Sequence, residues 1–138
     1  MSDRDHARAL LEMSRSDLNA LRGMQHPSLF GKDFFSDEIF GFHAQQAVEK
    51  ALKAWLAFKS VRYSHTHDLQ ALIDAVEDSG EDADWLREMV DLNPFAVQYR
   101  YESVDEEEEA IDRTSVLAQA RMVFDHVAGA MGEPPSSD

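Results

Sequence analysis

Apolar residues recur every three to four positions over most of the chain, which is the period of amphipathic helices and not of strands. Over residues 5–24, Ala7, Leu11, Ser14, Leu18 and Leu21 share one stripe. Arg8, Arg15 and Arg22 share another face, and Glu12 stands one helical turn from Arg8, placed to pair with it. This basic stripe reads first as solvated surface and second as a shallow phosphate-binding strip. Proline and glycine then break the helix in His26-Pro27-Ser28-Leu29-Phe30-Gly31, and Phe30, Phe34 and Phe35 are expected to plug the loop into the core. A second helix is predicted over residues 37–59. Ala44, Val48, Ala51, Trp55 and Phe58 form its main stripe, and Phe40, His43, Ala47, Lys50, Ala54 and Ala57 a second line. An apolar arc this wide belongs to the central helix of a bundle, and its small residues admit a close neighbour.

The turn Arg62-Tyr63-Ser64-His65-Thr66-His67 follows, with Thr66 or Asp68 as the cap of a third helix carrying Leu69, Leu72, Ile73 and Val76. Gly80 ends that helix. A short helix over residues 82–92 presents Trp85, Leu86, Met89 and Val90, and Asn93-Pro94 is expected to close it. Residues 95–101 are aromatic and apolar, but a lone strand would have nothing to pair with, so an irregular connector is expected. The acidic run 105–109 suits the solvated first turn of a last helix. That helix carries Leu117, Ala120, Phe124, Val127 and Met131 in one seam. The expected fold is all-α: an up-and-down helical bundle of about four long helices plus a short one. It forms a single domain over residues 1–131, with a disordered tail at 132–138. The small-residue face of the second helix and the seam of the last are equally readable as core or as a dimer interface.

Composition narrows the function. The 138 residues suffice for one core, and the absence of cysteine excludes disulfides and thiolate zinc sites. No apolar run reaches membrane-span length and the first ten residues are polar, so neither a membrane helix nor a signal peptide is expected, and a cytoplasmic protein is. A formal net charge of −14 disfavours sequence-blind nucleic-acid binding and favours a basic partner.

One string stands out: Phe42-His43-Ala44-Gln45-Gln46-Ala47-Val48-Glu49-Lys50-Ala51-Leu52-Lys53-Ala54. With Thr66-His67-Asp68-Leu69 after it and Tyr99-Arg100-Tyr101 before the last helix, it resembles the HEPN family, in the branch associated with minimal nucleotidyltransferases. The resemblance spans roughly residues 5–131 and its motifs fall in the family's order. It implies a homodimeric bundle, a nucleotidyltransferase as protein partner, and membership of a toxin–antitoxin pair. Toxin-type members of the family are metal-independent ribonucleases with an Arg-x(4–6)-His motif. Here Arg100 is followed by Tyr101, Glu102, Ser103, Val104, Asp105 and Glu106, and no histidine stands at the required distance. Arg62/His67 and Arg121/His126 have such a spacing elsewhere, but within one helix Arg121 and His126 would point about 140° apart.

Metal-free RNA cleavage needs a base near the 2′-hydroxyl and a cation near the phosphate. Arg100 and His67 are the catalytic candidates. His43, Gln46 and Lys50, which share one face of the second helix, form with Arg100 and Tyr101 a candidate nucleotide- or RNA-binding pocket. The competing expectation is structural: Lys50 paired with a carboxylate, Arg100 anchoring a loop, His67 capping a helix. His65, His67 and Asp68 lack the further ligands of a closed metal site, and no motif calls for a cofactor. Two functions therefore compete: a dimeric nucleotide- or RNA-linked module that works with a nucleotidyltransferase, and a divergent ribonuclease toxin.

Overall fold

The structure, a computed structural model, describes residues 2–26, 34–96 and 111–137. It is all-helical. In chain order come α1 (Asp3–Met24), α2 (Asp37–Phe58), α3 (Leu69–Asp78), a 3-10 helix (Asp84–Phe95) and α4 (Arg113–Met131). Ser2, Ser36, Asp68 and Asp112 cap the four α-helices, each side chain accepting from a backbone N–H of the first turn. Three of the four expected long helices are long, while α3 has only 10 residues. Among the described residues no helix is long and apolar enough to cross a membrane.

The wide apolar arc of α2 has its expected consequence: α2 packs against α1, α3, α4 and the 3-10 helix. Phe40, Ala44, Val48, Ala51, Leu52 and Leu56 are fully buried along it, beneath Leu11 and Leu18 of α1 and Phe124 and Val127 of α4. Each large buried side chain contributes about 1.5–3 kcal/mol, so the core carries the fold. The two faces that also read as dimer interfaces are core over most of their length, with Leu117 and Met131 at the ends of the α4 seam only partly buried. Ala47, Ala51 and Ala54 lie under neighbouring helices, and so do Ala120, Phe124 and Val127 of the α4 seam. At the closest α1–α2 approach Ser14 Oγ donates to the Ala47 carbonyl at 2.6 Å. Gly41 is needed for a similar reason, because a Cβ there would overlap the Phe95 ring.

Several expectations are corrected. The third and fourth helices meet differently from the pattern: Pro94 lies inside the 3-10 helix instead of ending it. Asn93 works across to α3, where its Oδ1 accepts from Leu69 N and its Nδ2 donates to Asp68 Oδ1, both at 2.9 Å. Phe34 is 66% exposed, its ring edge-on to Phe35 at 5.0 Å, whereas Phe35 is half-buried and Phe30 lies outside the described residues. Arg8 pairs with Glu133 at 3.0 Å, not with Glu12, which goes to Arg15. Arg15 also donates to the Pro134 and Pro135 carbonyls and lies over the Phe124 ring. Asp125 takes the Ser136 backbone N–H at 2.7 Å. Through these bonds residues 133–136 contact α1 and α4. The arginine stripe of α1 is occupied in part by the protein's own carbonyls. The connector after residue 96 and the acidic run 105–109 lie outside the described residues.

Candidate functional site

Two carboxylates buried in an apolar arc organise the polar side chains of α2. Asp17 comes from α1, where it falls between Ser14 and Leu21 on the core-facing stripe. Its side chain is 10% exposed. His43 Nδ1 lies 2.9 Å from Asp17 Oδ1, and Lys50 Nζ lies 2.9 Å from Asp17 Oδ2. His43 and Lys50 stand two helical turns apart on α2, so one carboxylate reaches both from the facing helix. A carboxylate can only accept, so the Nδ1 of His43 carries the proton in this bond.

Glu49 repeats the arrangement on the other flank of α2. It is 4% exposed. Its Oε1 accepts from Gln45 Nε2 at 3.0 Å and lies 2.8 Å from His67 Nδ1, while its Oε2 accepts from Lys53 Nζ at 3.2 Å. Gln45 Nε2 also donates to the His67 carbonyl at 3.1 Å, so backbone and ring of His67 are held together. Asp68, which caps α3, and Thr66, whose Oγ1 accepts from Asp68 N, fix the turn on either side of it. Gln46 Nε2 donates to Gln45 Oε1 at 2.6 Å, completing a chain of side-chain bonds along the helix. Every buried side-chain nitrogen and oxygen among the described residues has a partner. Such a fully satisfied network holds α1, α2 and the turn before α3 in one relative position.

Of the expected pocket residues, the structure brings two together on one carboxylate and turns a third elsewhere. His43 and Lys50 converge on Asp17, and Gln46 turns to Gln45. Lys50 meets the carboxylate that the structural expectation gave it. His67 does not cap α3; Asp68 does, and the His67 ring instead docks on Glu49 while remaining 68% exposed. Arg100 and Tyr101 lie outside the described residues. Asp17 and Glu49, the acids on which the site turns, were not singled out by sequence reasoning. The signal was available: each is an acid set at helical spacing among apolar positions, where an unpaired charge would be untenable.

The two other arginine–histidine pairs separate. Arg62 lines a cavity with His65, whose lining does not include His67, and the His67 ring docks on Glu49. Arg121 reaches Ser136, whereas His126 lies between the rings of Trp55 and Trp85, at centroid distances of 5.0 and 4.8 Å. Neither pair faces one site within the chain.

What the arrangement can do follows from where the charges end. Asp17 pairs with the Lys50 ammonium and accepts from the His43 ring, and both side chains are largely covered. Glu49 orients an imidazole whose other nitrogen is open to solvent, the geometry by which a carboxylate prepares a histidine to take or give a proton. The curated proteins yielded no match to the chain, and neither did the solved structures. A profile of the HEPN domain matches residues 7–129, a span that takes in all five helices and both carboxylates, and the chain belongs to the HEPN domain family.

Proposed function

We propose that this chain is a non-cleaving HEPN module: a homodimer that works with a minimal nucleotidyltransferase, in the manner of the family's toxin–antitoxin pairs, and is linked to a nucleotide or RNA. The observation that carries this reading is the locking of His43 and Lys50 onto Asp17. Cleavage on this face of α2 would need a free cation beside the scissile phosphate, and Lys50 there is already spent on Asp17. The sequence adds that Arg100 has no histidine at the ribonuclease spacing. A net charge of −14 supports a basic protein partner over long stretches of RNA. The side chains of Lys50 and His43 stay 19% and 26% exposed, and the proposed nucleotide-binding set is these two with Gln46, Arg100 and Tyr101. Light scattering on the purified chain, alone and co-expressed with a minimal nucleotidyltransferase, tests the assembly. The expected result is a dimer alone and a stable complex together; a monomer that forms no complex at micromolar concentration contradicts it.

One observation favours the second reading, a divergent ribonuclease. His67 is exposed and held by Glu49, as a general base would be. Growth arrest on expression, abolished by His67→Ala or Arg100→Ala, would make that reading primary.

A further inference from the structure

The cavity at the end of α2 is built from groups the polar network does not use. It measures about 370 Å³ and is lined by Asp3 and His6 of α1 and by Ser60, Arg62, Tyr63 and His65 of the following turn, over an apolar floor of Ala57 and Val61. Its volume falls within the ordinary range for small-molecule sites, roughly 300–1,000 Å³. Among the described residues, the side chains of His6, Arg62 and His65 have no hydrogen-bond or ion-pair partner. That sets Arg62 apart from Lys50, Lys53, Lys59, Arg87 and Arg113, each of which is paired with a carboxylate. In a chain this acidic, a guanidinium left without a carboxylate beside two imidazoles is unusual.

The turn holds these groups in place. Val61 N donates to the Leu56 carbonyl and Ser60 N to the Ala57 carbonyl, both at 2.9 Å, closing α2. Ser60 adopts φ 58°, a left-handed conformation that glycine takes at lower cost, so the position keeps a hydroxyl at the cavity where glycine would serve the backbone better. Burial pushes the Tyr63 phenol above its ordinary value, so it remains a donor at neutral pH.

The donors and the acceptor are segregated by residue type. Guanidinium, imidazoles and hydroxyls suit the several oxygens of a phosphate, and Arg presents a fork that matches two of them. Asp3 would repel a bare phosphate but accepts from a sugar hydroxyl. We propose that this cavity binds a sugar phosphate, with the phosphate on Arg62, His6 and His65 and a sugar hydroxyl on Asp3. The site is separate from the α2 face around Lys50, and neither that face nor the partner protein enters its test.

The experiment is amide NMR titration of the full chain with ribose 5-phosphate, with inorganic phosphate, and with ribose. Saturable shifts at residues 60–65 with ribose 5-phosphate, weaker ones with phosphate and none with ribose are expected. Arg62→Ala is expected to weaken ribose 5-phosphate binding at least about tenfold, or about 1.4 kcal/mol. Asp3→Asn is expected to weaken ribose 5-phosphate while leaving inorganic phosphate unchanged or tighter. Both substitutions are at the surface, and the unperturbed amide spectrum of the remaining helices verifies their fold. No saturation with ribose 5-phosphate at about 10 mM, where even a weak site of about 4 kcal/mol fills, would overturn the proposal. So would unchanged binding by Arg62→Ala, or an equal response of phosphate and ribose 5-phosphate to Asp3→Asn.

Discussion

Asp17 and Glu49 follow one recipe with different outcomes. Each is a buried acid that takes one histidine through Nδ1 and one lysine. The histidine side chain on Asp17 is 26% exposed and lies between two helices, whereas the one on Glu49 is 68% exposed on a turn. The same three groups therefore act as a clamp between α1 and α2 in one place and as a presented imidazole in the other. What separates them is the element that supplies the histidine: a rigid helix facing another helix, or a loop at the rim of the bundle. A buried acid with a histidine is thus not by itself evidence of chemistry, because the access of the second ring nitrogen decides.

The largest test of this contrast removes the clamp. Asp17→Ala leaves Lys50 and His43 without a counter-charge between α1 and α2, and a loss of about 3–4 kcal/mol is expected in urea unfolding, toward the lower end because both partners keep some solvent contact. Glu49→Ala is expected to lose less, about 2–3 kcal/mol, because His67 is already in water and only Gln45 and Lys53 are stranded. Its sharper signature is the His67 ring, whose Nδ1-protonated tautomer should give way to a mixture in ¹⁵N NMR, while His43 keeps its own. Equal losses from the two substitutions would break the contrast. Gly41→Ala loosens α2 without touching either acid: a Cβ meets the Phe95 ring, and about 1–2 kcal/mol of overpacking is expected with both histidine tautomers unchanged.

The smallest effect concerns an exposed acid as a reference. The Arg87 guanidinium, with Gln70 beside it, holds the Asp74 carboxyl below its ordinary range. A depressed carboxylate contributes stability above its unfolded value and loses that contribution as pH falls through the folded one, so the window lies at and below the usual carboxylate range. Because Asp74 and Arg87 lie at the surface, the effect on unfolding is expected to be marginal. Arg87→Met should return the Asp74 titration, read by carboxyl ¹³C shifts, toward the ordinary value.

The long helices were legible because burial writes itself as period. The apolar stripes of α1, α2 and α4 correctly marked their inner faces, and Asp68 as a cap was readable from its place before Leu69. The short helix was legible as a helix, expected over residues 82–92 and found over Asp84–Phe95, but its 3-10 type and its run past Pro94 were not. Proline ordinarily ends an α-helix, but here it sits inside a tighter turn whose neighbour Asn93 is fixed by a partner 24 residues away in α3. Tertiary partners also decide the tail, since nothing local in residues 133–136 shows that Arg8, Arg15 and Asp125 await them. For the site, helical spacing placed His43, Gln46 and Lys50 on one face. Whether that face met a ligand or a carboxylate depended on Asp17, 33 residues earlier than Lys50. Pairing across helices is invisible to spacing within one.

Metal-free RNA cleavage by the purified, folded protein tests the central claim most directly, with wild type, His67→Ala and Arg100→Ala run side by side under chelator. A chain whose cation and imidazole are locked on Asp17 should leave RNA intact in all three. Cleavage by wild type that disappears in both variants would contradict the account, and would make the imidazole on Glu49 a catalytic base.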